Sequence, residues 1–308
     1  MRISVVIPSY NSAAFVGEAV RSVLAQTRAA DEVLVVDDGS TDDTAARLAE
    51  FGSPVRVIRQ ANGGVSSARN RGVGEATGGL VAFLDADDVW HPRKLELQVP
   101  ALLAHPALGL LGTGTFAWPG AVPALAEPLA PACPVALNEL IVRNAFTASS
   151  VVARADVLRA AGEFDTRQQG TEDYDLWLRV AQLAAVANLP TPLTGYRVAT
   201  AGSLSKDAER MKAGMRLILG KLAAAGVFAG KPWLRARAWG YFHYSSGYMH
   251  SQAGDWSAAA GHLARSLARH PLAYNRAEVR HPLGRLRLLA ACLLAGLRRN
   301  SPRGVAGS

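Results

Sequence analysis

Over its first ninety residues the chain switches repeatedly between strand-like and helix-like spacing of apolar positions. Ile3-Ser4-Val5-Val6-Ile7 has strand length and composition, and Pro8 is expected to stop it. Phe15, Ala19, Val20, Val23 and Leu24 then fall at helical spacing, with Asn11 or Ser12 as the cap. Glu32 to Val36 predicts a second strand, ending in Asp37-Asp38-Gly39-Ser40, after which Thr41 or Asp42 caps a short helix running to about Glu50. Val55 to Ile58 predicts a third strand, Asn62-Gly63-Gly64 a turn, and Ser66 to Glu75 a helix. Val81 to Leu84 predicts a fourth strand, which runs straight into Asp85, Asp87 and Asp88. Strands that alternate with helices imply right-handed crossovers and a parallel sheet. Asp37, Asp38, Asp85 and Asp87 all follow strand ends, so they are expected on one rim, where open α/β sheets bind ligands.

Further on, the spacing predicts a helix over Arg93 to Leu103, kinked or shortened by Pro100. A strand is expected over Gly109 to Phe116, a proline-rich loop over 117–135, and a short helix from Asn138 to Val142. Ser149 to Ala153 predicts a strand, Ala155 to Ala161 a helix ended by Gly162, and Thr171 caps a helix with acids in its first turn. No element is assigned to Pro190–Ser205, which carries Arg197. From Lys206 the pattern is helical: 208–225, 233–253, 258–269 and an amphipathic stretch over 284–299, then a disordered tail over 300–308. Tyr248 to Pro271 resembles one tetratricopeptide-type helix-turn-helix, which must pack on neighbouring helices. The fold class is therefore α/β, with an α/β domain over 1–205 and an all-α basic region over 206–308.

Composition adds three constraints. Hydrophobic residues make up 49% of the 308 positions, enough for a sizeable core. Cys133 and Cys292 show no metal spacing, and the first strand leaves no room for a signal peptide, so a cytoplasmic protein with reduced thiols is expected. Charge is uneven: residues 206–308 hold 17 basic and 4 acidic side chains, net +13, whereas the whole chain is +8. No recognised nucleic-acid motif is present, and aromatics are not interleaved with these basic residues, so nucleic acid is not an expected partner. A shallow anionic membrane contact suits them, as does a helix packed on its domain with arginines in water.

Three carboxylates within four residues repel one another unless a cation, hydrogen bonds or a proton intervenes. Hard oxygen ligands favour Mg²⁺ or Mn²⁺, which share their coordination with phosphates. A solvated acidic turn capping the next helix, with Asp88 as cap, is the plain alternative.

Six segments resemble family 2 glycosyltransferases of the GT-A fold. They are Val6-Ile7-Pro8-Ser9-Tyr10-Asn11, Val35 to Asp42, Gly63 to Asn70, Phe83 to Asp88, Ala161 to Asp165, and Glu172 to Leu178. Together they span about residues 1–205. The resemblance implies a nucleotide cradled by Pro8, Ser9 and Tyr10, with Tyr10 offering a stacking face and Asp37 accepting from a uracil ring. Asp38 and Ser40 serve there or as turn residues. Arg69 and Arg71 reach a base or diphosphate, one of them being instead a structural ion pair. Asp85 meets the ribose and the metal network, and Asp87 ligates Mn²⁺ or Mg²⁺ directly. His91 is expected to be an exposed polar residue rather than a metal ligand. Arg197 is a diphosphate partner or a loop anchor. Many family members carry histidine where this chain has Ala199, which leaves a third metal ligand open.

The resemblance implies transfer with inversion from a nucleotide sugar, expected to be a UDP-sugar, to an acceptor hydroxyl. Asp173 takes the base position, and Glu172 orients a substrate or neighbouring side chain. The acceptor is a saccharide or lipid-linked saccharide in cell-surface polysaccharide or glycolipid synthesis, met in the cytoplasm or at the inner face of the membrane. A nucleotide-sugar-binding protein without catalysis is the alternative; retention of Asp87 and Asp173 argues against it.

Overall fold

The computed structural model describes residues 1–168, 170–197, 207–274 and 283–300, the last four by backbone alone. Ala199 and residues 301–308 of the expected tail lie outside the described residues. The chain divides into two compact units: Met1–Leu140 with Asn144–Ser203, and Ile141–Arg143 with Leu204–Ser308.

In the first unit, β1 (Ile3–Ser9), β2 (Glu32–Asp37), β3 (Arg56–Arg59) and β4 (Leu80–Phe83) form a wholly parallel half-sheet in the order β3-β2-β1-β4. Every residue of β1 and β4 is buried, as expected of strands covered on both faces. The crossovers are α1 (Val16–Leu24), α2 (Thr44–Ala49) and α3 (Val65–Glu75). β1 does not stop at Pro8. Its ladder with β4 ends at Val6, so the missing N–H of Pro8 costs no bond there, and β2 carries the strand on to Ser9. α3 lies against β1 so closely that a Cβ on Gly72 would run into the Val6 side chain. That approach holds the N-terminal turns of α3 over the ends of the parallel strands.

The second half of the sheet is mixed. β5 (Val89–Trp90), β6 (Leu108–Trp118), β7 (Cys133–Pro134), β8 (Val152–Arg154) and β9 (Ala185–Arg197) extend it in the order β4-β8-β6-β9-β5, with β7 on β9. β6 and β9 are parallel, while β8 is antiparallel to both β4 and β6. β9, like the two-residue β5 and β7, is a strand that sequence patterning did not assign. Pro190 and Pro192 read as strand breakers, but they sit where the β6–β9 register shifts between Thr113 and Thr115. An irregular ladder tolerates residues without an N–H.

The remaining helices of this unit are α4 (Lys94–Leu103), α5 (Leu137–Val142), of which Leu137 to Leu140 belong here, α6 (Ala155–Ala161) and α7 (Glu172–Leu183). α4 continues through Pro100 to Leu103. Lys94, at its start, is wholly buried. Its Nζ donates to Gln98 Oε1 at 2.6 Å and lies 4.3 Å from the centre of the Trp90 ring, and burial pushes its amine well below the ordinary lysine value.

The second unit contains α8 (Ala208–Ala224), α9 (Pro232–Gln252), α10 (Trp256–Arg269) and α11 (Gly284–Asn300). Asp255 caps α10 by accepting from the Ala258 N–H at 3.1 Å. α9 meets α10 at Gly247, where a Cβ would lie 2.9 Å from Leu263 Cγ. Cys292 of α11 joins Ala259, Ala260 and Leu263 in a small core. Between α9 and α10, His243 Nδ1 and His262 Nδ1 are 3.1 Å apart, and the His250 ring stacks on His262. Both cysteines are free, Cys133 exposed and Cys292 buried.

Candidate active site

The rim begins with the loops after β1 and β2, which are stitched together. Asn11 N–H donates to Ser40 Oγ at 3.0 Å, Thr41 N–H to Asn11 Oδ1 at 2.8 Å, and Ser12 N–H to Thr44 Oγ1 at 2.9 Å. Asn11 takes φ 45°, a left-handed conformation that asparagine tolerates. α1 starts at Val16 without the expected side-chain cap, whereas Asp42, one of the two residues expected to cap α2, accepts from the Thr44 N–H at its start. Ser9 is buried against Ser12 Oγ at 2.5 Å, and Tyr10 projects from the loop half exposed.

Asp37 is almost fully enclosed. Its Oδ1 accepts from the Ser40 N–H at 2.9 Å, while its buried Oδ2 has no hydrogen-bond partner, the Arg59 Nε standing 3.5 Å away. A buried acceptor with a spare lone pair is costly unless something fills it. Asp38 is used differently. Its carboxylate accepts from Gln60 Nε2 and from the N–H groups of Gly63 and Gly64, so it shapes the turn into α3. Ser40 likewise joins loops, which leaves both as turn residues.

The acidic turn after β4 is held from behind. Ser149 Oγ accepts from the Asp85 N–H at 3.0 Å and donates to Asp88 Oδ2 at 2.6 Å. Trp90 Nε1 donates to Ser149 O at 2.8 Å, and Gln98 Nε2 to Ser150 O at 2.9 Å, which ties the turn to Lys94. Sequence reasoning missed Ser149, Gln98 and Lys94; only the apolar spacing of α4, which puts Lys94 and Gln98 on the face of Leu95, Val99 and Leu102, could have marked them as buried. His91 is buried too, not exposed, with Nδ1 accepting from the Arg93 N–H at 3.1 Å.

Arg197 is a loop anchor. Its N–H donates to Asp88 Oδ1 at 3.0 Å, Nε to Asp87 O at 2.8 Å and Nη2 to Glu18 Oε2 at 2.5 Å. Its guanidinium also lies 4.7 Å over the Phe15 ring, so its Nε and Nη2 are turned to the protein. Arg71 pairs with Glu75 one turn along α3, on the exposed side.

Arg69 is the buried pair. Its Nη2 donates to Asp85 Oδ1 at 2.6 Å and its Nη1 to Glu172 Oε1 at 2.7 Å. Glu172 Oε2 accepts from the Gly170 N–H at 2.6 Å. The acidic turn and the start of α7 are thereby joined through one guanidinium, and Glu172 orients a neighbouring side chain rather than facing outward. Beside it, half-buried Asp173 has its carboxyl pushed up to about 7, by desolvation first and then by the Glu172 charge; Arg69 opposes this. Thr171 does not cap α7 with its side chain, which donates to Gln168 Oε1 instead.

Burial, and then the charges of Asp85 and Asp87, push the Asp88 carboxyl up to about 8. Among the described residues no three His, Cys, Asp or Glu side chains already form a metal cage. The donor set nonetheless fits a hard dication. Asp85 and Asp87 are half-buried carboxylates on one turn, and their mutual charge is what a cation offsets.

Residues 4–117 match the profile of glycosyl transferase family 2. This stretch is similar to that family. A relative in Escherichia coli, the UDP-Glc:alpha-D-GlcNAc-diphosphoundecaprenol beta-1,3-glucosyltransferase WfgD, is 38% identical over 105 residues, 33% of this chain and 42% of its own. An uncharacterized glycosyltransferase of Nostoc sp. is 45% identical over 115 residues, 36% of each chain. The first curated relatives are matched over about a third of their length. The architecture is that of GT-A glycosyltransferases. S. aureus TarS, solved with UDP-GlcNAc, superposes with a TM-score of 0.66 at 20% identity over 98% of this chain and 93% of its own. A mannosyltransferase from Pyrobaculum calidifontis, solved with GDP-Man and Mn²⁺, gives 0.62 at 21% identity over 97% and 88%.

Proposed function

We propose that the chain transfers a sugar from a UDP-sugar to a hydroxyl of a saccharide or lipid-linked saccharide, with inversion at the anomeric carbon. The reaction serves cell-surface polysaccharide or glycolipid synthesis at the cytoplasmic side of the membrane. The observation that carries this reading is the Arg69 bridge, which puts the Glu172-Asp173 helix start beside the acidic turn at the sheet rim. The WfgD name, with a UDP-sugar donor and a diphosphoundecaprenol-linked acceptor, supports the choice of donor and acceptor class.

The residues divide the work. Asp37 offers the unfilled Oδ2 to the N3–H of uracil, an acceptor that would reject a ring lacking that donor. Tyr10 gives the base an exposed aromatic face, and Pro8 and Ser9 shape the floor beside it. Asp85, positioned by Arg69 and Ser149, faces the ribose. Asp87 and the second oxygen of Asp85 would hold Mn²⁺ or Mg²⁺, which when bound offsets charge on the departing diphosphate. As the acceptor oxygen bonds to the anomeric carbon and the bond to the diphosphate oxygen breaks, Asp173 takes the acceptor's proton. A carboxyl with a value near 7 suits that task at neutral pH.

The test is a panel of nucleotide sugars incubated with the chain, Mn²⁺ and oligosaccharide or polyprenyl-diphosphate-linked acceptors, with released nucleotide measured. UDP release from one UDP-sugar, dependent on acceptor, is expected. Tight donor binding without release from any pair would favour the binding-protein reading.

A further inference from the structure

α11 presents two apolar faces, and its own unit covers one of them. Cys292 is fully buried against Ala259 and Leu263 of α10, with Leu288 and Leu289 half buried beside it. Arg285 fixes the helix about its axis. Its guanidinium donates to His270 O at 2.7 Å and to Pro271 O at 3.0 Å, and lies 4.4 Å over the Tyr274 ring. The helix therefore cannot roll to hide its other face. On that face Leu286, Leu293 and Leu294, with Leu283 just before the helix, are 48%, 53%, 58% and 52% exposed, with Ala290 between them. At 100° per residue these five positions fall within about a 100° stripe, the width of an amphipathic face. Exposed Arg287 lies along its edge.

From this we infer that the leucine stripe of α11 is a membrane-docking face whose partner is an anionic lipid bilayer. This deepens the reading of a membrane-linked acceptor by naming the surface and the lipid charge. Charge decides the occupant. The region 206–308 carries net +13, so a second copy would bring like charge against like, whereas anionic headgroups attract basic residues near the surface. The depth is shallow. No described helix is long and apolar enough to cross a bilayer, and half-exposed leucines insert only to the headgroup–acyl boundary.

The experiment is sedimentation of the full chain with sucrose-loaded vesicles, without nucleotide sugar, so that it does not depend on transfer activity. Vesicles of equal parts phosphatidylglycerol and phosphatidylcholine should bind the chain, and phosphatidylcholine alone about tenfold less. Leu286→Asp with Leu293→Asp should lower binding about tenfold with the unfolding temperature unchanged; if that pair unfolds, Leu286→Ser with Leu293→Ser replaces it. Arg287→Glu should weaken binding and flatten its salt dependence. Equal binding by the leucine variants and the wild type would overturn the inference. So would a wild-type dimer that the leucine variants convert to monomers, with no vesicle binding by either. Failure of nucleotide release with intact vesicle binding would count against the transferase reading alone.

Discussion

Arg69 Nη1 reaches Glu172 Oε1 at 2.7 Å across 103 residues of chain, with both side chains buried. The same guanidinium holds Asp85, so its charge is balanced by two carboxylates and its proton is held above even the usual arginine value. Removing one partner of such a pair leaves an uncompensated buried charge, at a cost of about 3–5 kcal/mol. Arg69→Met should therefore lower the urea midpoint sharply, and Glu172→Gln less. The double variant should lose less than the two single losses added together, because it leaves fewer charges unpaired. Additive losses in equilibrium unfolding would show that the pair does not act as a unit.

Asp173 predicts a pH dependence of both rate and stability. The base works as a carboxylate, so transfer should rise with pH through about 7 and then level off. Stability runs the other way. The folded state holds this proton better than the unfolded chain, whose value is near 3.8, so the contribution is present at low pH and lost as pH rises to about 7. Asp173→Asn should abolish most transfer, typically ~10²–10⁴-fold. It should raise the unfolding temperature relative to wild type at pH 8, with the gap closing toward pH 4. Transfer within a few-fold of wild type would reduce Asp173 to a helix-terminus acid, and Asp175 would be the next candidate.

Asp87 gives a metal-dependence test. Chelator should stop transfer, and Mn²⁺ or Mg²⁺ should restore it. Asp87→Ala should weaken UDP binding in the presence of Mn²⁺ and change it little in chelator, as read by calorimetry. Full activity in excess chelator would remove the metal from the scheme.

The sequence pattern located β1 to β4 and the acidic rim to within a residue or two, because buried parallel strands are uniform apolar runs and the chemistry follows their ends; it set the start of α1 several residues too early. It did not locate β9, whose prolines sit in an irregular ladder, nor the roles of the arginines. Arg69 and Arg71 look alike two residues apart on one helix, yet 100° per residue sends one inward and the other to solvent. Arg197 offers the same lesson: its partners, Glu18 and the Asp87 carbonyl, lie 179 and 110 residues earlier in the chain. The Ser149 contacts were equally hidden, since a serine in a short turn carries no periodic signal.

The histidines of the second unit predict acid sensitivity. His243 and His262 meet through their Nδ1 atoms, and both are held down to about 4, by desolvation first. Arg216, Arg265, Arg269 and Lys212 add positive charge that disfavours their protonation, Glu209 favours it, and His250 stacks alongside. A depressed folded value means stability present above about 6.5 and lost as pH falls toward 4. Circular dichroism of the helical signal should show loosening over that window. His243→Phe with His262→Leu should remove it, and an unchanged acid transition in that variant would place the sensitivity elsewhere.

The enclosure of Lys94 has a practical reach. Amine-acylating reagents modify lysines from solvent, and this one offers no accessible surface in the folded state. Its labelling can proceed only through openings that release α4 from the sheet, so its rate is a clock for those openings alone. Once such an opening occurs the freed amine regains its ordinary basicity. Peptide-resolved mass spectrometry of Lys94 against the other lysines would then report how often the layer behind the acidic turn comes apart, and whether donor and Mn²⁺ slow that event.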